Sequence, residues 1–248
     1  MKGLAWVTGA GSGIGRAVAV ALAGAGWKLA LTGRREEALR ETAALLPAGS
    51  DALILPADLT DAAQVAAALA RLPEAPALLV NNAGANTPRR HWHQLSAEGV
   101  QGLLDANLTA PFLTSLAVLP GMKARGGGLI VQIASVAGKG ASPVSGPGYI
   151  AAKTGFVALS TSLNAENGIH NIRSTCICPG EVATPILDLR PQPPSAEDRQ
   201  RMLQPQDVAA AVLFAAGLPD HVCLNEIVIT PTFNRDHAAG AQAVAGLP

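Results

Sequence analysis

Short apolar runs of strand character alternate along this chain with Ala- and Leu-rich segments of helical period, and that alternation leaves few folds open. The runs are LAWVT (4–8), KLALT (28–32), ALILP (52–56), ALLVN (77–81), LIVQIA (129–134), STCIC (174–178) and EIVIT (226–230). Helical periodicity spans 14–25, 35–46, 61–71, 100–124, 149–166 and 205–217. Strand and helix in turn predict a parallel sheet covered by helices on both faces, and near-continuous apolar strands agree, because neither face meets water. Thr60 or Asp61 is placed to cap the third helix with Gln64 reaching back, and Pro205 suits a first helical turn. No internal repeat or linker interrupts the pattern. The chain is therefore read as one domain over residues 1–248, with RPQPPS (190–195) a loop and the tail 235–248 peripheral or an oligomer contact.

Composition excludes several classes of function. With 248 residues, 49% of them hydrophobic, the chain can bury a large core. Eighteen basic residues balance eighteen acidic ones without runs of like charge, so neither a nucleic-acid footprint nor a polybasic membrane patch is expected. The opening MKGLAWVTGAG lacks a signal-peptide apolar region, and no apolar stretch is read as reaching the length of a membrane span. A cytoplasmic location is expected. Three cysteines form no bridge or ligand pattern; Cys176 and Cys178 share one strand face as core thiols. His91 and His93 have no third partner at metal-like spacing, so no metal is expected.

The first chemical signal is TGAGSGIG, Thr8 to Gly15, between the first strand and the first helix. Glycines let a backbone approach a pyrophosphate closely, and a helix N-terminus offers unpaired N–H donors at a positive dipole end. The glycines at 9, 13 and 15 depart from the strict G-x-G-x-x-G spacing. Dinucleotide binding is the expectation; a bare strand-to-helix turn is the alternative.

A second signal is Tyr149, the only tyrosine in the chain, with Lys153 four residues later in YIAAK. At that spacing both lie on one helix face, so the ammonium is expected to favour the ionised phenol and lower its pKa. Together TGAGSGIG, NNAG (81–84), Asn107 in DANL, Ser135 in IASVAG, YIAAK (149–153) and PGEVATP (179–185) resemble the short-chain dehydrogenase/reductase family in order and rough spacing, from residue 4 to about 230.

That resemblance implies a single doubly wound Rossmann-type α/β domain with a parallel sheet of about seven strands, and an enzyme that moves hydride between a nicotinamide dinucleotide and a carbonyl or alcohol. Charge developing on a carbonyl oxygen needs a proton donor and a second hydrogen bond. Tyr149 is the expected donor and Ser135 the second hydrogen bond. By resemblance, Lys153 holds the nicotinamide ribose and Asn107 supports a water in the proton path. The resemblance lays Gly9, Gly13 and Ile14 along the pyrophosphate, Asp58 and Leu59 beside the adenine, and Asn81 and Ala83 at the adenosine ribose and the strand crossing. It puts Val182 and Thr184 at the carboxamide and counts Gly11, Ser12, Gly15, Gly84, Pro179 and Gly180 among the same contacts. Without it, Asp58 reads as a turn acid bonded to its own backbone.

Where an NAD site places a carboxylate, at the end of the second strand, this chain has Gly33 followed by Arg34 and Arg35. Glu36 and Glu37 should already belong to the next helix. NADP(H) is therefore expected over NAD(H), with Arg34 the main phosphate partner and Arg35 beside it. Pocket walls are expected from Asn86 to His93, Gly138 to Gly148 and Pro185 to about Leu203. Arg89, Arg90 and His91 either draw an acidic group or form a solvated loop tip. A small or medium carbonyl or alcohol is the expected substrate, and a homodimer or homotetramer the expected assembly. A non-redox sensor or scaffold on the same fold stays open as the rival, because the phosphate loop alone would serve either.

Overall fold

A computed structural model describes residues 2–140 and 144–235; the tail beyond Arg235 and positions 141–143 of one expected pocket wall lie outside the described residues. The chain runs β1 (Lys2–Thr8), α1 (Gly13–Gly24), β2 (Trp27–Gly33), α2 (Glu36–Ala44), β3 (Ala52–Pro56), α3 (Ala62–Ala70), β4 (Leu78–Asn81) and α4 (Ala97–Leu104). It continues with α5 (Ala110–Ala124), β5 (Gly128–Ile133), α6 (Pro147–Asn167), β6 (Ile172–Pro179), α7 (Ala196–Arg201), α8 (Pro205–Gly217) and β7 (Glu226–Ile229). The seven strands form one parallel sheet in the order β3-β2-β1-β4-β5-β6-β7. This is the doubly wound parallel sheet of about seven strands that the resemblance implies.

Strand parity explains the two layers of core. Ala5, Val7, Leu29, Leu31, Leu78 and Val80 face α1 and α8, packing against Val18, Leu22, Val208 and Val212. Their neighbours Leu4, Trp6, Ala30, Leu79 and Ile130 face the other way, onto Val65, Val118, Met122 and Leu163 of α3, α5 and α6. Each fully buried Leu or Val contributes on the order of 1.5–3 kcal/mol. A one-residue register slip would exchange the two layers. Trp6 meets its polar requirement inside the core, its Nε1 donating to Thr32 Oγ1 at 2.8 Å.

Local signals set the helix ends. Asp61 caps α3, accepting from the backbone N–H of Ala63 and Gln64, while Gln64 Nε2 donates back to Asp61 Oδ2 at 3.0 Å. The segment expected as one helix from 100 to 124 begins at Ala97 and contains a π turn, Asp105–Thr109, between α4 and α5. This run, Ala97–Ala124, is long and apolar enough to cross a membrane by length and composition, at a mean hydropathy of 1.3, which corrects the expectation that no stretch reaches that length. One face of it packs into the core through Thr114, Ser115, Val118 and Met122, while Phe112 and Leu116 on it are exposed.

The sheet order places a crevice where α1 and α5 leave in opposite directions from β1 and β4, at the carboxyl ends of the strands. Gly15 makes that junction tight. A Cβ there would stand 2.3 Å from Gly9 O and 2.4 Å from Asn82 Nδ2. Gly15→Ala should therefore lower the free energy of unfolding by about 1–3 kcal/mol or more; urea denaturation of the purified variant checks this, and an unchanged midpoint would contradict it.

Candidate active site

A cavity of about 570 Å³ opens at the carboxyl ends of β1, β4, β5 and β6, reaching from Gly9 and Ile14 at one end to Ser135, Tyr149 and Arg190 at the other. Its first wall is the turn into α1. Gly9 and Gly13 adopt φ of 61° and 51°, a left-handed backbone that favours glycine. Ser12 occupies the N-cap of α1 with no side-chain hydrogen bond to the helix start. Ser12, Gly13 and Ile14 line the cavity, and a Cβ on Gly13 would lie 3.1 Å from Thr184 Cγ2, so this turn faces the loop after β6. Gly11 and Gly15 do not border it. Gly11 instead lets α2 approach, since a Cβ there would meet Ala38 Cβ at 3.0 Å.

Asn81 is displaced from the role expected of it. It is 1% exposed, with Nδ2 donating to Pro111 O, Ser115 Oγ and Gln132 Oε1 and Oδ1 accepting from Thr114 Oγ1. Its side chain joins β4, β5 and α5 beneath the sheet. The next residue, Asn82, turns to the cavity, its Nδ2 donating to Thr8 O at 3.1 Å and Gly9 O at 3.2 Å. Strand alternation separates the two asparagines, and the parity of β4 was the signal that could have told them apart. Ala83, Gly84, Pro179, Gly180, Val182 and Thr184 line the cavity.

Asp58 and Leu59 do not border it. Asp58 forms the turn read as its alternative, Oδ1 accepting from Thr60 N at 3.0 Å and from Thr60 Oγ1 at 2.8 Å. These bonds, helped by the nearby Arg34 charge, hold its carboxyl below the ordinary range. Leu59 is buried in the core layer under α3. Arg34 and Arg35 are exposed just past β2, outside the cavity, and no ion pair found among the described residues involves either. Glu36 and Glu37 lie in the first turn of α2, where Glu36 pairs with Arg40.

At the other end, Ser135 follows β5 and its Oγ accepts from Ala137 N at 3.1 Å, opening a short 3-10 turn, Val136–Gly138. α6 begins at Pro147, so Tyr149 stands in its first turn and Lys153 one turn on. Lys153 Nζ is buried, donates to Ile133 O at 3.0 Å, and sits 5.7 Å from the Tyr149 ring centroid. Asn107, in the π turn, is wholly buried. Its Nδ2 donates to Ala85 O and Leu103 O, and its Oδ1 accepts from Ala85 N. A Cβ on Gly84 would stand 2.8 Å from Asn107 Oδ1 and 3.6 Å from Lys153 Nζ, so both side chains converge on that glycine.

The electrostatics differ from the simple pairing of lysine with phenol. Burial pushes the Tyr149 phenol up, and what opposes it is a hydrogen bond from Ser135 and the charges of Arg190 and Arg90. Burial also pulls Lys153 down to about 8. Lys153, whose Nζ donates to Ile133 O, is not among the groups that move the phenol.

Two arginines also line the cavity. Arg90, one alternative for which was a solvated loop tip, is 3% exposed and donates to three carbonyls: Thr87 O from Nε, Val144 O from Nη1 and Leu189 O from Nη2. Arg190, which sequence reasoning missed, pairs with Glu181, and Glu181 pairs in turn with Arg235. Local sequence carries no sign of either arrangement.

Comparison with known proteins meets this geometry. A family model described as short chain dehydrogenase matches residues 4–193. The chain belongs to the short-chain dehydrogenase family. It is thus an oxidoreductase of a family whose members act on CH–OH or carbonyl groups. This short-chain dehydrogenase is 35% identical over 244 residues to a glycine betaine reductase of Emericella nidulans, covering 92% of this chain but only 18% of that longer protein. It is 31% identical to an uncharacterized oxidoreductase of Staphylococcus saprophyticus, over 92% of this chain and 97% of that one. Among solved structures, the closed form of a serine dehydrogenase complexed with NADP+ superposes with a TM-score of 0.83 at 31% identity, covering 92% of this chain and 94% of the other.

Lys153 offers a test of the site's dryness. Its folded pKa of about 8 lies below the ordinary 10.5, so between those values the unfolded chain binds the extra proton. The cost of burying the ammonium is complete below pH 8 and is relieved as pH rises above it. Lys153→Met should therefore show its largest stability relative to the natural protein near pH 7, the difference shrinking towards about pH 10. Paired urea denaturation series check this, and a difference independent of pH would contradict it.

Proposed function

We propose that this protein is an NADP(H)-dependent oxidoreductase that interconverts a carbonyl compound and its alcohol, with Tyr149 as general acid/base. The observation that carries this reading is that Ser135, Tyr149 and Lys153 line one cavity together with the uncapped start of α1. A dinucleotide fits these residues. Glycines at positive φ leave the backbone open beside a helix N-terminus, and one continuous cavity links that end to the phenol. The cofactor, when bound, supplies or accepts the hydride.

The chain's own groups do the remaining work. The turn from Gly9 to Ile14 would hold the pyrophosphate on backbone N–H groups, and Val182 and Thr184 would hold the carboxamide end. Tyr149 gives its proton to the carbonyl oxygen as charge develops there, and takes it back in the oxidising direction. Ser135 donates to the same oxygen. Arg90 and Arg190 favour the phenolate that remains after proton transfer. Lys153, about half protonated near pH 8, is suited to binding ribose hydroxyls and to passing a proton. Asn107 fixes the backbone at Ala85 and hence the wall beside Lys153.

Preference for NADP(H) is supported by the absence of an acid at Gly33, by the exposed Arg34 beside Asp58, and by the NADP+ held in the related serine dehydrogenase. Fluorescence titration should give NADPH affinity about tenfold or more above NADH, and Arg34→Glu should remove that preference. Equal affinity for the two would defeat the assignment. Tyr149→Phe should lower turnover by about 10²–10⁴-fold while leaving NADPH affinity nearly intact; a variant at full rate would defeat the mechanism.

A further inference from the structure

The charges around the cavity do not balance. Among the described lining residues, Arg90, Lys153 and Arg190 face one acid, Glu181. Glu181 is already shared, since its carboxylate also takes Arg235 through Nε at 3.0 Å and Nη2 at 2.8 Å. Arg90 is held by carbonyls alone. Its three bonds satisfy three of five guanidinium N–H donors and bring no counter-charge, yet the group is almost wholly buried. A buried cation without a carboxylate costs stability. The cost is sharpened by proximity, because Arg190 lies close enough to depress the Arg90 pKa.

The excess is local to one end. Arg90 packs against Gly146, three residues before Tyr149, and Arg190 lines the same cavity as Tyr149 and Ser135, which puts them at the reacting end rather than at the turn that takes a pyrophosphate. Arg90 is also fixed in place. A Cβ on Gly146 would meet Arg90 O at 2.4 Å, so the loop before α6 closes onto it, while Leu189 O ties it to the stretch that carries Arg190. These loops are the walls that meet substrate. From this we infer that the substrate carries a carboxylate, and that Arg90 and Arg190 bind it while its carbonyl or alcohol oxygen meets Tyr149 and Ser135. The inference rests on the oxidoreductase reading above. It makes the reaction oxo acid, NADPH and a proton giving hydroxy acid and NADP+: hydride adds to the carbonyl carbon and the Tyr149 proton to its oxygen. The planar guanidinium fork suits a carboxylate, and the two unspent donors of Arg90 are available to it.

The test is a panel of 2-, 3- and 4-oxo carboxylic acids, each beside its primary amide, with the full chain and NADPH. At least one acid should exceed its amide in kcat/KM by roughly 10- to 100-fold, the worth of a charge-assisted hydrogen bond. Arg190→Gln should lower that ratio several-fold, acting mainly through KM, with Arg90 retaining part of the preference. Glu181→Gln, which removes the competing carboxylate, should keep the acid preference. Amides reduced as well as acids, an unchanged ratio in R190Q, or the same loss in E181Q as in R190Q would each overturn the inference. Isothermal titration of the NADP+ complex with the same panel separates the two readings. An acid that binds more tightly than its amide without any turnover across the panel supports the anion site and defeats the oxidoreductase reading. Amides turned over with no acid bound does the reverse.

Discussion

Parallel pairing of β1 with β4 is the constraint on which the rest of this molecule hangs. Ala5, Trp6 and Val7 lie against Leu78, Leu79 and Val80, and beyond that register the two strands part into loops that can no longer bond as a sheet. Their polar groups must still be satisfied. Thr8 Oγ1 donates to Val80 O and accepts from Asn82 N and Ala83 N, while the Asn82 amide holds Thr8 O and Gly9 O. One hydroxyl and one amide thus stitch the turn into α1 to the loop after β4. Gly15 has no room for a methyl because this stitching is tight, and the start of α1 is aimed into the crevice for the same reason.

Around that frame the cavity runs against the usual preference for pairing buried charge. Lys153 rests on a carbonyl, Arg90 on three, and Glu181 serves two arginines, of which Arg235 also pairs with Asp198. Desolvation outweighs the cations at Tyr149, so the free phenol is poorly ionised, which suits an acid that gives up its proton only as charge appears on a substrate oxygen. The same burial brings Lys153 to where it exchanges protons near neutral pH. Groups that do little for folding are therefore concentrated where chemistry takes place, a pattern expected of functional sites.

The sequence alone determined the architecture, because a sheet covered on both faces writes itself into the order and period of apolar residues. Strand runs, helical segments, the Asp61 cap and the glycine turn were all legible from neighbours within a few positions. So was the spacing that puts Tyr149 and Lys153 on one helix face. Tertiary structure alone decided the rest. Asn81 lies under the sheet and Asn82 in the crevice because strand parity is set by pairing, which the doublet NN does not reveal. Asp58 closes a turn on Thr60. Arg90 and Arg89 stand side by side in the chain, but only Arg90 finds carbonyls from positions 87, 144 and 189 within reach. Arg190 and Glu181 meet the phenol's surroundings from a different loop again. Hydrophobic period is a local property and survives in the sequence, whereas the partner that makes a buried charge tolerable is brought by the fold from distant positions, and no local pattern carries its address.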